Sequence, residues 1–500
     1  MLEQGAGRGT GEGIGSWPRR RARKTPGRIA VVHGDDTQTY RELDETVTRF
    51  ARALRARGIG RGDRVAYLGP NHPAFLHALF ATCAVGAVFV PLNTRLAASE
   101  LAYMLNDSGA RLLLHDPRCA QTAVQEGAGI AVAVDDLADD RADDCADDRA
   151  DEVMAADDPG MIMYTSGTTG HPKGAVLSHA NITWNSLNVL VDTDLASDEI
   201  TLVTAPLFHT AALNMTCLPT LLKGGRVVIE PGFEAERMLD LIESQGVTCL
   251  FGVPTMFAAV AESPRWESAD LSSVRILMCG GSPVPKALID TYLRRGLSFI
   301  QGYGMTEASP GTLLLDREMS AVKAGSAGVP HFFTDVRLVR SDPTGEADVG
   351  EPGEILVHGP HVMRGYYGLP DATADALLAG GWFRSGDVGV RDEDGYVSIV
   401  DRVKDMIISG GENVYPAEVE NALYDHPDVA ECAVIGMPDA RWGEVGKAVV
   451  VLRTGASTDP QGLLDHLASR LAKYKVPKAV EFRTALPRTA SGKIRKSALR

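Results

Sequence analysis

The chain has 500 residues, of which 44% are hydrophobic and 23% charged, close to the average for soluble globular domains. This composition excludes intrinsic disorder for most of the chain. The length predicts about two to four domains, because a single compact core does not grow to this size. The net charge of −15 argues against nonspecific nucleic-acid binding. A polyphosphate ligand therefore needs local donors that overcome the field of the whole protein.

The N-terminal segment gives no sign of a membrane or secretory destination. Residues 1–16 are Gly-rich and are predicted to be flexible, and the basic segment that starts at Trp17 has no apolar stretch after it. No apolar run reaches the roughly 18 residues of a membrane span. The seven cysteines are scattered without a CxxC pair, which indicates reduced thiols and no structural zinc. The expected compartment is the cytoplasm, and the chain is expected to have no transmembrane segment.

In chain order, amphipathic helices alternate with short apolar strands. Helices are predicted over Tyr40–Ala56, over Ala74–Val85 and from Ser99 onward. Strands separated by helix-length connections predict parallel sheets with covered faces. The strands are predicted at Asp63–Leu68, Ala87–Leu92, Arg111–His115, Gly225–Ile229, Val247–Phe251, Val274–Cys279 and Leu297–Gln301.

An acidic repeat interrupts this alternation between residues 135 and 152. Pairs of aspartates recur there every four residues with alanine between them. Such a run repels itself, so we interpret it as a solvated linker or surface helix, with an acidic interaction tail as the alternative. We assign it no chemistry.

The sequence pattern changes near Thr334, where short strands with Gly/Asp turns predict an antiparallel β subdomain over about 334–400. A small α/β unit is predicted after Asp401. The overall prediction is an α/β protein with a large N-terminal domain of stacked α/β sheets, the β subdomain, and a small C-terminal α/β domain. The elements of this last domain are predicted at Pro416–Tyr424 and Gln461–Leu471 (helices) and at Val429–Ile435 and Lys447–Leu452 (strands).

The segment Tyr164–Ala175, YTSGTTGHPKGA, carries the clearest chemistry. Hydroxyls and glycines in a row expose backbone and side-chain donors, and Lys173 adds a positive charge, which suits a polyphosphate. A flexible glycine turn is the structural alternative. A Walker A loop would need Ser or Thr after the lysine, and Gly174 stands there.

With this segment, four more motifs in order identify a resemblance to the adenylate-forming superfamily, and most of all to bacterial fatty-acyl and 4-coumarate-type CoA ligases. The four are QGYGMTE (301–307), GWFRSGDVG (381–389), DRVKDMIISGGENVYPAEVE (401–420) and PRTASGKIRK (487–496). The resemblance implies an ATP-dependent acid–CoA ligase, which forms acyl-AMP and pyrophosphate and then acyl-CoA and AMP. It implies ATP, Mg²⁺ and coenzyme A as co-substrates. It also implies an adenylation domain over 17–401, a hinge over 402–404 and a mobile C-terminal domain over 405–500.

The resemblance implies roles for individual residues, each at its position in this chain. Attack of a carboxylate on the α-phosphorus brings two anions together, so positioning and charge neutralisation suit the reaction better than a general base. Lys493, Thr306 and Glu307 are the implied catalytic residues, and Glu307 would hold Mg²⁺. Lys404 is the implied hinge, and coenzyme A would pass Ser409, Gly410 and Gly411. The implied ATP and AMP ligands are Thr165, Ser166, Gly167, Thr168, Thr169, Gly170, Lys173, Gly281, Ser282, Pro283, Gln301, Gly302, Tyr303, Thr306, Asp387, Arg402 and Lys493.

For two of these residues, the sequence also allows a structural interpretation without a functional role. Lys493 lies in a loop, where a lysine is usually a solvated surface residue. Ser385-Gly386-Asp387 could form a simple Asx turn, without the implied ribose contact of Asp387. Membership in the ordered set of motifs favours the functional reading of both.

The resemblance also implies an acid pocket with His209 at its mouth, where a structural histidine is the alternative. His209 stands where amino-acid-activating relatives have an aspartate, and Gly302 stands where malonate-activating relatives have an arginine. The first difference disfavours an amino-acid substrate, and the second disfavours a dicarboxylate. Ala211 replaces a tyrosine that is frequent in coumarate ligases, which favours a medium- or long-chain fatty acid over a hydroxycinnamate. The implied lining residues are small or apolar: Ala211, Gly280, Gly304, Met305, Pro310 and Gly311.

Other functions in the superfamily stay open at this point. An aryl-CoA ligase is the first alternative. A non-CoA enzyme that loads a carrier protein, or one that adenylates nitrite, would keep the same ATP motifs. The expected partners are small molecules, namely the carboxylic acid, ATP and coenzyme A, and no nucleic acid. The oligomeric state, a homodimer included, stays open.

Overall fold

A computed structural model describes residues 13–127, 129–139, 153–165, 172–282, 284–340, 345–402, 405–409, 412–439, 442–488 and 494–499. The chain divides into two compact units, which we call the first unit (Met1–Val336 with Val357–Phe383) and the second unit (Arg337–Leu356 with Arg384–Arg500). The predicted domain boundaries at 401 and 404 stay predictions. Among the described residues, no helix is both long and apolar enough to cross a bilayer.

The helices of the described chain follow the predicted alternation. The α-helices are α1 (Trp17–Lys24), α2 (Tyr40–Ala56), α3 (Pro73–Ala84), α4 (Ala98–Ser108), α5 (Ala120–Glu126), α6 (Val134–Asp139), α7 (His179–Asp192), α8 (Thr210–Ala212), α9 (Leu218–Lys223), α10 (Ala235–Gln245), α11 (Pro254–Ala261), α12 (Lys286–Leu293), α13 (Pro370–Ala376), α14 (Pro416–Tyr424) and α15 (Pro460–Ala468). A π-helical turn, Leu213–Cys217, joins α8 to α9.

Four sheets are built from the strands of the described chain. They are β1 (Ile29–His33), β2 (Asp36–Thr39), β3 (Arg64–Leu68), β4 (Val88–Leu92), β5 (Leu112–His115), β6 (Ala131–Ala133), β7 (Pro159–Thr165), β8 (Lys173–Ser178), β9 (Ile200–Val203), β10 (Arg226–Ile229), β11 (Cys249–Gly252), β12 (Ile276–Gly280), β13 (Phe299–Gly304), β14 (Gly311–Leu315), β15 (Val329–Pro330), β16 (Asp335–Val339), β17 (Pro352–His358), β18 (Gly365–Tyr366), β19 (Phe383–Arg391), β20 (Val397–Arg402), β21 (Ile407–Ser409), β22 (Glu412–Val414), β23 (Val429–Asp439), β24 (Gly443–Leu452) and β25 (Ala479–Phe482).

The first unit contains two large sheets. One has nine strands in the order β15-β14-β13-β12-β11-β9-β10-β1-β2, and its six strands from β13 to β1 run parallel. The other has seven strands in the order β18-β8-β7-β4-β3-β5-β6. Parallel strands leave their carboxyl ends at one edge of a sheet, where α/β proteins bind ligands. The segment 301–307 lies at that edge of the nine-stranded sheet.

The predicted helix Tyr40–Ala56 has the observed bounds because both its ends and its buried face are encoded locally. Thr39 Oγ1 accepts a hydrogen bond from the Glu42 backbone nitrogen at 3.3 Å, and Glu42 Oε2 accepts one from the Thr39 backbone nitrogen at 2.7 Å. This capping box satisfies N–H groups that the first turn leaves free. Apolar residues at helical spacing, including Leu43, Val47 and Phe50, are buried.

Two sequence expectations need correction. Residues 1–16 are not flexible throughout, because Ile14–Ser16 forms a buried 3-10 turn. A Cβ at Gly15 would lie 2.4 Å from the Ala84 backbone nitrogen, so this glycine allows the turn to pack directly on α3. The predicted strands at 247, 274 and 297 begin two residues later, at Cys249, Ile276 and Phe299, because the two residues before each strand form an irregular connection from the preceding turn. Of the acidic repeat, α6 is described, and the remainder lies outside the described residues.

The second unit is built on two smaller sheets. A four-stranded sheet has the order β16-β17-β19-β20, with β19 and β20 antiparallel, which agrees with the predicted β subdomain. A five-stranded sheet contains β22, β21, β24 and β23, with β25 parallel to β24. Its core is formed by apolar residues such as Val419, Leu423, Val434, Val450 and Leu463. Pro416–Tyr424 is again a helix with the predicted bounds.

Candidate active site

The glycine segment of the phosphate motif connects two antiparallel strands. Strand β7 ends at Thr165, strand β8 begins at Lys173, and these two residues pair across the hairpin. Lys173 Nζ lies 5.1 Å from the centre of the Tyr366 ring, a cation–π arrangement. Ser166, Gly167, Thr168, Thr169 and Gly170 lie outside the described residues.

Through Glu307, the motif 301–307 contacts the hairpin that β7 and β8 form. Glu307 lies in a 3-10 turn, Thr306–Ala308, directly after β13. Tyr366 donates its hydroxyl to Glu307 Oε1 at 3.0 Å, and the Thr165 hydroxyl donates to the same oxygen at 3.5 Å. Burial and the neighbouring Glu307 charge raise the pKa of Tyr366, so its hydroxyl stays a donor. Among the described residues, neither Lys nor Arg forms an ion pair with Glu307.

Glycines shape the carboxyl edge of β12 and β13. Gly281 has φ of +83°, in the left-handed region that glycine tolerates, and Gly281 and Ser282 are exposed. A Cβ at Gly304 would lie 1.7 Å from the carbonyl oxygen of Pro310, so this position requires glycine. Gly302 has open space where a side chain would project, and Tyr303 beside it is half-buried. Pro283 lies outside the described residues.

Gln301 lies deeper in the same strand and differs from the other implied ligands. Its side chain is buried, and its amide nitrogen donates to the Ser320 hydroxyl at 3.1 Å. This contact gives Gln301 a structural role within the first unit.

The implied acid pocket adjoins an apolar cluster. Ala211 packs against a cluster that includes Ala212, Met215, Phe251 and Leu314. His209 precedes α8, and its ring lies 4.8 Å from that of Phe208. Gly280, Met305, Pro310 and Gly311 lie at the ends of β12 and β13 and at the start of β14, so strand ends form this part of the site.

In the second unit, Asp387 and Arg402 pair across β19 and β20. Arg402 Nε lies 3.0 Å from Asp387 Oδ1, and the Asp387 side chain is largely buried. The Asp387 backbone nitrogen donates to the Ser385 hydroxyl at 3.0 Å, so the turn is closed by the side chain of Ser385 and is not the Asx turn that the sequence suggested. The turn and the ion pair coexist, because the turn uses the backbone of Asp387 and the ion pair uses its carboxylate.

Asp401 is a buried carboxyl that the sequence analysis did not single out as a site residue. It accepts hydrogen bonds from the backbone nitrogens of Arg402, at 2.7 Å, and Ala417, at 2.9 Å. Burial raises its pKa from 3.8 to about 6, although the Lys496 charge opposes this shift. Its carboxylate thus connects the end of β20 to the first turn of α14.

The remaining implied residues fall into two groups. Ser409 is buried and ends β21, where it pairs with Glu412 and Gly443. Lys404, Gly410, Gly411 and Lys493 lie outside the described residues.

Comparison with known proteins identifies the architecture. A family model for AMP-binding enzymes matches residues 18–367, and one for the AMP-binding enzyme C-terminal domain matches residues 418–493. The chain belongs to the AMP-binding enzyme family. A feruloyl-CoA synthase of an Amycolatopsis species is 59% identical over 98% of this chain and 99% of its own. A long-chain-fatty-acid–CoA ligase of Mycobacterium tuberculosis is 39% identical over 97% of this chain and 98% of its own.

Solved structures of AMP-binding enzymes agree with this assignment. The o-succinylbenzoate–CoA synthetase of Bacillus subtilis, in complex with its acyl-adenylate intermediate, matches with a TM-score of 0.89 and 34% identity, over 97% of each chain. This chain is accordingly an adenylate-forming acyl-CoA synthetase, as the five motifs predicted, and its reaction takes ATP, Mg²⁺ and coenzyme A.

The described residues fit these co-substrates. Mg²⁺ prefers oxygen ligands and is commonly held by one or two carboxylates together with substrate phosphates. Glu307 offers a half-buried carboxylate that is contacted by hydroxyls and, among the described residues, by no cationic side chain. Lys173 supplies positive charge on the hairpin, and Gly302 leaves open space beside Tyr303 for a planar base. The sequence analysis missed Tyr366, which contacts both Glu307 and Lys173. Its signal is the glycine-flanked aromatic pair in Gly365-Tyr366-Tyr367-Gly368.

Proposed function

We propose that this acid–CoA ligase activates a hydroxycinnamate, an aryl propenoic acid of the ferulate type. The observation that carries the proposal is the 59% identity to a feruloyl-CoA synthase over nearly the whole of both chains. Identity to the fatty-acid ligase is 39%, so the aliphatic preference expected from Ala211 gives way to the aryl alternative.

Pocket size explains why Ala211 does not distinguish an aliphatic acid from an aryl acid. A missing tyrosine widens the pocket, and a wider pocket accepts a substituted ring as well as an alkyl chain. Gly280, Gly304 and Gly311 pack closely against neighbouring atoms at the ends of β12, β13 and β14, so no side chain projects from these three positions of the pocket wall. Phe251 and Met215 from the adjoining cluster supply apolar surface for such a ring.

The residue roles in this proposal follow the chemistry of adenylation. Lys173, with the glycine segment before it, would hold the β- and γ-phosphates, and Glu307 would hold Mg²⁺. Tyr303 would lie against adenine, and Asp387 would accept hydrogen bonds from the ribose hydroxyls. Lys493 would neutralise charge between the attacking carboxylate and the α-phosphate.

Further residues have roles in the proposal that the family resemblance implies. Thr306, which directly precedes Glu307, would contact the α-phosphate. Lys404 would act as the hinge, and Ser409 with the two glycines after it would border the path of coenzyme A. His209 would lie at the mouth of the acid pocket.

The test is an acid panel assayed with ATP, Mg²⁺ and coenzyme A, with thioester formation and pyrophosphate release measured separately. The panel contains ferulate, 4-hydroxycinnamate, cinnamate, straight-chain acids of eight to sixteen carbons, malonate and free amino acids. We expect kcat/KM for the best hydroxycinnamate to be at least about tenfold above that of the best aliphatic acid. An aliphatic acid that equals or exceeds the hydroxycinnamates would overturn the proposal. Acid-dependent pyrophosphate without a thioester would identify a different acceptor.

A further inference from the structure

A buried polar cluster lies beside the part of the acid pocket that Pro310 and Gly311 form. Helix α7 contributes Asn185, Asn188 and Asp192, which recur at a spacing of three and four residues and therefore share one face of the helix. Asn185 Oδ1 accepts a hydrogen bond from the Gly311 backbone nitrogen at 2.9 Å. Val189, one turn after Asn185, belongs to the apolar cluster that Ala211 joins. The polar cluster and the apolar wall are thus continuous along α7.

His331 completes this cluster from the segment after β15. Its side chain is fully buried, and its Nδ1 lies 2.5 Å from Asp192 Oδ2. A Cβ placed on Gly311 would lie 2.9 Å from His331 Nε2. The imidazole therefore packs directly against the side of Gly311 from which a side chain would project, and only glycine allows this close contact.

Two polar atoms near Gly311 have no hydrogen-bond partner within the described part of the chain. They are His331 Nε2 and Asn214 Oδ1, and both are buried. The Asn214 amide nitrogen donates to the carbonyl of Ser309 at 3.1 Å, so Asn214 borders the same turn as Gly311. Leaving a buried polar atom unpaired costs about 1–3 kcal/mol. Two such atoms beside one turn of the acid pocket suit a polar group of a ligand.

The pairing with Asp192 determines which hydrogen-bonding atom His331 can present to a ligand. In the tautomer that donates its Nδ1 hydrogen to the Asp192 carboxylate, Nε2 is a hydrogen-bond acceptor on the side of Gly311. This nitrogen accepts a hydrogen bond from a hydroxyl. A phenolic hydroxyl suits it, because the rest of an aryl ring can lie on the apolar wall that includes Phe251 and Met215.

We propose that His331, oriented by Asp192, is a specificity-determining residue that accepts a hydrogen bond from the ring hydroxyl of the aryl acid. The inference rests on the proposed function and extends it, because it assigns the recognition of the hydroxyl to named residues. Asn214 is the further polar group that a ring substituent meets there. Gly311 allows the imidazole to lie directly beside the pocket wall, and Asp192 is a positioning residue.

The experiment compares 4-hydroxycinnamate with cinnamate, which differ only in the hydroxyl. A site built to hydrogen-bond a substrate hydroxyl rejects the analogue that lacks it, so the wild-type kcat/KM ratio should be at least about 10. His331→Phe should bring the ratio to within about twofold of 1, chiefly by lowering kcat/KM for 4-hydroxycinnamate. His331→Gln keeps a hydrogen-bonding group near the Nε2 position and should retain part of the preference. The KM for ATP should stay within about twofold of wild type in both variants.

Gly311→Ala is a second variant that tests the same inference if His331→Phe does not fold. Its methyl group would lie 2.9 Å from His331 Nε2 and would block or displace the imidazole, so it should also abolish the hydroxyl preference while keeping the histidine side chain. A wild-type ratio near 1, or a ratio that persists in His331→Phe and Gly311→Ala, would overturn the inference while ferulate activity still supports the proposed function. Wild-type enzyme that converts neither aryl acid would instead contradict the proposed function itself.

Discussion

Glu307 in the first unit and Asp387 in the second unit are both carboxylates with implied nucleotide roles, but their surroundings differ. Tyr366 and Thr165 contact Glu307 through hydroxyl groups. Arg402 contacts Asp387 through an ion pair at 3.0 Å. Hydroxyls orient a carboxylate without cancelling its charge, whereas a guanidinium cancels it and fixes its position. The first arrangement suits a carboxylate that meets a metal ion, and the second suits one that accepts hydrogen bonds from neutral hydroxyls.

The carboxyl group of Asp401, also in the second unit, has a third kind of surroundings. Two backbone N–H groups contact its carboxyl, and burial raises its pKa to about 6. The three carboxyl groups are thus expected to respond differently to neutralisation, and the following substitutions test that difference.

The largest effect is expected for Glu307→Gln. The substitution removes the charge that would hold Mg²⁺, so kcat should fall about 10²- to 10³-fold, and the Mg²⁺ concentration for half-maximal rate should rise. Pyrophosphate release measured across a Mg²⁺ titration checks both changes. Tyr366→Phe is the matched control, because it removes one hydroxyl contact and leaves the carboxylate. It should cost less than about tenfold, and an equal loss in both variants would contradict a metal role for Glu307.

Asp387→Asn should act on ATP binding. The amide accepts at one oxygen only and no longer pairs with Arg402 as an ion, so the KM for ATP should rise about 10- to 100-fold with a smaller change in kcat. Steady-state kinetics with ATP varied at saturating acid measure this. Arg402→Ala leaves the carboxylate in place and should raise that KM by a smaller factor. An unchanged KM in Asp387→Asn would mean that the carboxylate serves only the fold of the second unit.

Lys173→Ala should have a smaller effect, confined to the nucleotide. We expect the KM for MgATP to rise about 5- to 20-fold, because one cationic contact to the phosphates is lost. The KM for the acid should stay within about twofold. Initial rates with each substrate varied in turn separate the two constants, and a selective rise in the KM for the acid would contradict the phosphate role.

The smallest effect is expected for Asp401, in the stability of the protein. Its carboxyl binds a proton in the native state below about pH 6, whereas the unfolded chain releases that proton near pH 3.8. Between these values the native state holds more protons, so its contribution makes stability fall as pH rises from about 4 to about 6. The total change is about 1–3 kcal/mol at most, since one pKa unit corresponds to 1.36 kcal/mol.

Asp401→Asn removes this titration. Urea unfolding of wild type and variant at pH 4.5, 5.5 and 7.0 should show a flatter pH dependence in the variant. The variant also loses one acceptor for the Arg402 or Ala417 N–H group, which lowers stability by a constant amount at every pH. Parallel pH profiles for the two proteins would show that Asp401 does not carry the raised pKa.

The sequence by itself determined the local elements and the order of the motifs. Tyr40–Ala56 and Pro416–Tyr424 have the predicted bounds because their signals, a capping box with apolar spacing in one and an N-terminal proline in the other, lie within the helix and its flanks. Lys173, Glu307 and Asp387 could be proposed as site residues because each lies in a contiguous motif. The reaction class followed from five such motifs in order.

Only the tertiary structure decided which residues surround these motifs. Tyr366 reaches Glu307 because β18 pairs with β8, a contact between strands almost two hundred residues apart in the chain. His331 reaches Asp192 and Gly311 because β15 pairs with β14 and α7 packs beside them. Burial, which raises the pKa of Asp401, likewise depends on neighbours from separate segments. Local sequence encodes helix ends, strands and contiguous motifs, whereas pairings between distant strands create the electrostatic surroundings of each carboxylate and imidazole.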